Sequence, residues 1–174
     1  EDVMRARNLC DAIVQVSRGK KQKLGYPFGE HRIDQGVLFD VLQRHPEFWS
    51  LILGSDLNSR IQNLFRDPLF VFDNTVVFKS VGEWSNEVPY HQDFLSRPDD
   101  PPSYILWIPL QDTRAEDGCL KVFEGSHTQG FYPWHRVKNE THHDRLVDSS
   151  VARVAQRYPL VDVEMKVGDA LLFH

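Results

Sequence analysis

The chain has 174 residues, 41% hydrophobic and 26% charged, a composition that suits one soluble globular domain long enough to bury a core. Its 25 acidic residues outnumber 20 basic ones, for a net charge of −5. This argues against a general nucleic-acid binder, which needs a basic surface to displace counterions. The one basic cluster, Arg18–Lys23, reads as a solvated loop. Cys10 and Cys119 lie far apart among apolar neighbours and read as small buried hydrophobes, so a reducing, cytoplasmic setting is expected. No apolar run approaches the roughly 20 residues of a membrane span, and no signal peptide opens the chain.

In chain order, Leu9, Ile13 and Val16 recur at helical spacing and predict a helix over 2–17. Asp34 is placed to cap a second helix reaching about Arg44, with Val37, Leu38, Val41 and Leu42 inward. Pro46 fits the first turn of a third, and Ser55 opens a fourth reaching about Arg66. After Pro68 the pattern changes. Residues 69–79, "LFVFDNTVVFK", are β-branched and aromatic and predict a strand. Alternation sets Phe70, Phe72 and Phe78 on a face suited to pack against the helices. The other face carries Asp73, Thr75 and Lys79, a polar row that needs a wet pocket to justify it.

Residues 103–111 are apolar on both faces and predict a buried strand, with Pro109 at an edge or bulge. "DGCLKVFEGS" is a turn and a strand. Residues 131–158 combine an aromatic-rich loop with a helix around Asp144–Arg157. Residues 161–167 alternate strictly, Gly168-Asp169 is a turn, and "ALLF" starts another strand. Helices followed by short strands predict an α+β domain over 1–174, helical over 1–66 and a β-sandwich or barrel over 67–174. The chain opens on Glu1 already in a helical pattern and stops inside a strand. It is therefore expected to be a portion of a longer protein, with its last strands missing.

"VPYHQDF", residues 88–94, places His91 and Asp93 two apart. On an extended backbone such residues point the same way, about 6.6–6.8 Å apart, and an imidazole and a carboxylate there can lean onto one ion. Two histidines and one carboxylate on one face of an ion leave positions open for a cosubstrate and oxygen, which suits iron(II). The short pattern alone also fits a surface histidine beside a turn aspartate.

The wider context adds weight. "VPYHQDF", then "YILWIPLQDTRAEDGCLKVFEGSHTQG", then "VGDALLFH" resemble, in order and spacing, the phytanoyl-CoA dioxygenase family over roughly residues 69–174. Trp107 falls fourteen residues past Asp93; Asp112, Asp117-Gly118, "GSH" and Gly168-Asp169 follow in turn. Glu124 stands where the family usually has proline. The resemblance implies an iron(II)- and 2-oxoglutarate-dependent oxygenase, using O2 and releasing succinate. Its core would be a double-stranded β-helix (jelly-roll, cupin-like), with the N-terminal helices packed on one face.

By that resemblance His91 and Asp93 are iron ligands, and the Asp93 carboxylate points to hydroxylation of a small organic substrate, or another oxidation without halogen transfer. Trp107 would line the 2-oxoglutarate pocket, Lys79 would contact the cosubstrate, and Thr75 could hydrogen-bond it. Asp73 could meet the substrate. Trp134, with Phe131 and Tyr132, sits in a loop near the expected mouth and could shape substrate specificity. The second iron histidine is expected about five residues past His174, near position 179, with the 2-oxoglutarate arginine further on, so His174 is not read as the ligand. His127 reads as part of a turn, and His142-His143-Asp144 as solvated. Two other readings stay open: a non-catalytic jelly-roll binding module, and a metal-dependent hydrolase. Succinate release coupled to oxygen uptake separates the first reading from both.

Overall fold

The computed structural model describes residues 1–17, 36–54, 56–65, 68–71, 74–77, 88–93, 104–135 and 145–173. The chain divides into two compact units, Glu1–Asn86 and Glu87–His174.

In the first unit, helix α1 spans Asp2–Ser17, as its periodicity predicts. Its buried seam is Ala6 and Cys10, one turn apart, and it packs on the segment around Pro46–Leu53. Val16, one of the apolar residues of that periodicity, is 59% exposed. Of the second helix expected from Asp34 to Arg44, the described residues split between a strand and a shorter helix. Val37–Phe39 forms β1, paired antiparallel with β2, Thr75–Val77, in the register Val37↔Val77, Leu38↔Val76, Phe39↔Thr75. Asp40 then takes a left-handed backbone, φ 54°, and only Val41–Arg44 is helical, as α2. Asparagine and aspartate tolerate this conformation better than other non-glycine residues. The inward positions were still legible: Leu38 is fully buried, and Val41 and Leu42 nearly so.

Asn74 ties strand and helix together. Its carbonyl accepts from Asp40 N–H at 2.9 Å, its Oδ1 accepts from Leu42 N–H at 2.8 Å, and its Nδ2 donates to Gln43 Oε1 at 2.8 Å. The amino end of α2 is thus capped from the neighbouring strand, satisfying a donor that the short helix leaves open. A 3-10 turn over Pro46–Phe48 leads into α3, Trp49–Leu53, and α4 follows over Asp56–Leu64. Trp49 Nε1 donates to the Leu42 carbonyl at 3.1 Å, and Phe48 is buried beneath. The strand expected over 69–79 is confined to Thr75–Val77 among the described residues, and Phe70 is 88% exposed rather than packed. Phe72, Asp73, Phe78 and Lys79 lie outside the described residues.

The second unit is organised by a long antiparallel ribbon. Strand β3, Ile105–Trp107, pairs with β8, Leu171–Phe173, starting from Ile105↔Phe173. Thr113 bridges Met165; Thr113 is eight residues past Ile105 and Met165 eight before Phe173, so one register runs through. Strand β4, Leu120–Phe123, pairs with β7, Leu160–Val163. Seven residue steps separate Thr113 from Leu120 but only two separate Val163 from Met165, so the 113–120 side carries five extra residues. They are accommodated by a 3-10 turn at Ala115–Asp117 and by Gly118, at φ 78°.

Acidic side chains close the ribbon's turns. Asp112 Oδ1 accepts from Val167 N–H at 2.8 Å, Asp169 Oδ2 from Lys166 N–H at 2.7 Å, Asp117 Oδ2 from Arg114 N–H at 3.2 Å, and Glu164 Oε1 from Ala115 N–H at 2.9 Å. Gly168, at φ 101°, supplies the left-handed step of the Lys166–Asp169 turn. Asp112, Asp117-Gly118 and Gly168-Asp169, which carried much of the family likeness, therefore have structural work in the ribbon.

Strands β5, Trp134–His135, and β6, Arg145–Leu146, form a further pair, and α5 spans Asp148–Ala155. The helix expected from Asp144 thus begins later, after a short strand. Tyr132, Leu146 and Val154 form the buried cluster here, with Tyr90, Phe123, Val151 and Tyr158 packed against it. Among the described residues the strands form four two-stranded antiparallel sheets. No helix among those residues is long and apolar enough to cross a membrane.

Candidate metal centre

The segment Val88–Asp93 lies at the start of the second unit and belongs to no strand. Alternate residues nonetheless take alternate tasks. Tyr90 is anchored to the body of the unit: its carbonyl accepts from Leu146 N–H at 2.8 Å and its ring lies 5.1 Å from that of Phe123. Gln92 is anchored twice. Its Nε2 donates to the Gly130 carbonyl at 3.1 Å, and its Oε1 accepts from Tyr132 N–H at 3.0 Å. Between and beyond them, His91 and Asp93 meet each other, Nε2 to Oδ1, at 3.1 Å.

The imidazole is oriented from behind. His91 Nδ1 lies 2.7 Å from the Pro89 carbonyl; a carbonyl only accepts, so Nδ1 carries a proton. The other nitrogen faces the Asp93 carboxylate, an acceptor, so the pair is held by a second proton or by a cation. Burial acts to lower the His91 pKa, but the hydrogen bond to Asp93, the bond to the Pro89 carbonyl and the Asp93 charge outweigh it, and the net shift is upward. The imidazole is mostly buried, 22% exposed, while the Asp93 side chain is 46% exposed. One member of the pair is thus held firmly and the other opens to solvent.

The donor set fits a first-row metal. Two ligands bound at about 2.1 Å and at right angles stand about 3.0 Å apart, close to the observed separation of 3.1 Å. A backbone carbonyl on the non-ligating nitrogen is one of the usual ways a metal-binding histidine is oriented. Among the described residues no group of three His, Cys, Asp or Glu side chains could hold a metal.

A family model described as phytanoyl-CoA dioxygenase (PhyH) matches residues 1–174. The chain belongs to the phytanoyl-CoA dioxygenase family. The chain is 30% identical over 133 residues to phytanoyl-CoA dioxygenase 1 of Oryza sativa subsp. japonica, covering 74% of this chain and 44% of that protein. It is 32% identical over 112 residues to phytanoyl-CoA dioxygenase of Arabidopsis thaliana, covering 63% of this chain and 37% of that one. The chain therefore spans less than half the length of these relatives. No solved structure matches.

Of the other residues singled out from the sequence, Trp107 is half-buried in β3, opposite Leu171. Trp134 begins β5 and is exposed, as is Phe131. Tyr132 is buried, and its hydroxyl finds no partner among the described residues. Thr75 is exposed in β2, in the first unit. His127 lies exposed in a 3-10 turn over Ser126–Gln129, as its motif suggested. Lys79, Asp73, His174 and His142–Asp144 lie outside the described residues. Sequence reasoning missed Tyr90 and Gln92. The signal was present: if positions 91 and 93 share a task on one side, positions 90 and 92 are free to anchor the segment on the other.

Proposed function

We propose that the protein is an iron(II)- and 2-oxoglutarate-dependent dioxygenase that hydroxylates a small organic substrate, with a double-stranded β-helix as its complete core. The reading rests on one observation: an oriented His91 and a solvent-facing Asp93 stand 3.1 Å apart at the family's HxD position. Iron(II), when bound with 2-oxoglutarate and O2, supplies the oxidation, in which the cosubstrate leaves as succinate and carbon dioxide while one oxygen atom goes to the substrate.

The chain's own residues prepare that chemistry. The Pro89 carbonyl holds the proton at His91 Nδ1, which leaves Nε2 to ligate once its proton is displaced by the cation. Asp93 provides a negative oxygen ligand and offsets part of the metal's charge. On the resemblance Lys79 and Trp107 are proposed for the cosubstrate; the polar row of the sequence adds Thr75 for the cosubstrate and Asp73 for the substrate, and the aromatic loop adds Trp134 for the substrate.

The test is stoichiometric. Full-length protein with iron(II) is expected to consume 2-oxoglutarate and O2 and release succinate in equal amounts, uncoupled turnover without substrate included. Metal-dependent hydrolysis without O2 uptake, or no turnover of 2-oxoglutarate, would overturn the proposal.

A further inference from the structure

We infer that Gln92, the residue between the two ligands, is a positioning residue that fixes the His91–Asp93 pair by clamping its segment to the loop Gly130–Tyr132. The inference rests on the metal-centre reading above and extends it. A glutamine amide presents a donor and an acceptor side by side, and Gln92 uses both on one stretch of backbone, Nε2 to the Gly130 carbonyl and Oε1 from Tyr132 N–H. Residues 91–93 belong to no strand among the described residues, and the Gln92 side chain anchors the segment there. Upstream, Tyr90 is held through its carbonyl by Leu146 and through its ring against Phe123. The two anchors bracket His91, and the Gln92 anchor is the last one before Asp93.

The far side of the clamp is firm at one end. Tyr132 is 7% exposed and sits in the buried cluster with Leu146 and Val154, while Ser150 Oγ and Val147 N–H both donate to the Pro133 carbonyl, at 2.8 and 3.2 Å. Between the two clamped positions, Phe131 is 63% exposed. Gln92 thereby ties the ligand pair to a rigid wall on one side and to a loop presenting an aromatic ring on the other. Groups that orient metal ligands from outside the coordination sphere typically cost about 10–100-fold in metal affinity when removed.

The experiment uses full-length protein, with cobalt(II) as a probe read by its visible absorption, alongside thermal unfolding of the metal-free protein. Gln92→Met keeps the length and removes both hydrogen bonds; it is expected to raise the cobalt Kd about tenfold or more, measured where the variant is fully folded. Gln92→Glu keeps the Tyr132 bond but loses the donor to Gly130, while its added charge alone would tighten cation binding, so weaker binding in this variant also supports the clamp. A purely structural role would lower the unfolding temperature and leave Kd unchanged. A Gln92→Met Kd within twofold of wild type overturns the inference; if that variant does not fold, Gln92→Glu binding more tightly than wild type, as its added charge alone would dictate, does so. His91→Ala separates the two readings: if it binds cobalt as wild type does, or if wild type binds none, the metal-centre reading falls as well.

Discussion

Replacing Asp112 by alanine removes the acceptor that holds Val167 N–H at 2.8 Å across the ribbon. Hydrogen bonds to charged groups contribute about 1.5–3 kcal/mol when sheltered. Asp112 and Val167 are both exposed, so water competes and the expected loss is about 1 kcal/mol, roughly a fivefold change in the folded-to-unfolded ratio. Asp112→Asn keeps an oxygen acceptor without the charge and should lose about half as much. Asp169 serves the adjacent amide of the same turn, accepting from Lys166 N–H at 2.7 Å. Once one bond is gone, the turn is looser and the second is worth less, so the double alanine variant should fall short of additivity by about 0.5 kcal/mol. Glu116→Ala is the control: its carboxylate pairs at the surface with Arg114, 3.2 Å away, and its loss should cost less than about 0.5 kcal/mol. Urea unfolding of five variants, Asp112→Ala, Asp112→Asn, Asp169→Ala, the double alanine variant and Glu116→Ala, measures these terms. Asp112→Ala indistinguishable from the Glu116 control, or Asp112→Asn as damaging as alanine, would refute the view that this motif residue acts as an acceptor closing the ribbon.

Leu38→Ala removes a fully buried side chain from the first unit and should cost about 3–5 kcal/mol in denaturant unfolding; a loss under about 1 kcal/mol would mean that β1 is not in the core. Burial, with a smaller contribution from the Asp11 charge, pushes the Cys10 thiol from 9.0 up to about 11. A raised folded-state pKa contributes stability that is fully present below pH 9 and is lost as pH rises from 9 to about 11. Wild type should therefore lose stability across that window more steeply than Cys10→Ala, and Cys10 should resist iodoacetamide at pH 8 until the protein unfolds. Lys79→Ala should raise the KM for 2-oxoglutarate about tenfold or more, the loss of one charge-assisted contact; an unchanged KM would return Lys79 to an ordinary surface role.

Much of the second unit was legible because its signals are local. The turn pair Asp117-Gly118, the alternation of 161–167 and the Gly168-Asp169 turn each specify their own backbone, and β4, β7 and β8 fall where expected. The first unit was harder at one point. The run Val37–Phe39 is too short for its period to separate strand from helix, and its state is set by Thr75–Val77, nearly forty residues away. The left-handed Asp40 that ends the strand resembled, in sequence, another residue inside a helix. At the candidate metal centre the HxD spacing brought out His91 and Asp93. Gln92 stayed hidden because the pattern leaves its middle position open, and because its partners are backbone groups at Gly130 and Tyr132, which no side-chain motif records.

The central claim is that His91 and Asp93 together hold iron(II) for 2-oxoglutarate-dependent oxidation. It is tested most directly by titrating full-length protein with iron(II) under anaerobic conditions with 2-oxoglutarate, following the visible metal-to-ligand charge-transfer band. Wild type should develop the band to a stoichiometric end point. His91→Ala and Asp93→Ala should fail to develop it while remaining folded by circular dichroism. Either variant reaching the wild-type end point with wild-type affinity would contradict the assignment of the pair.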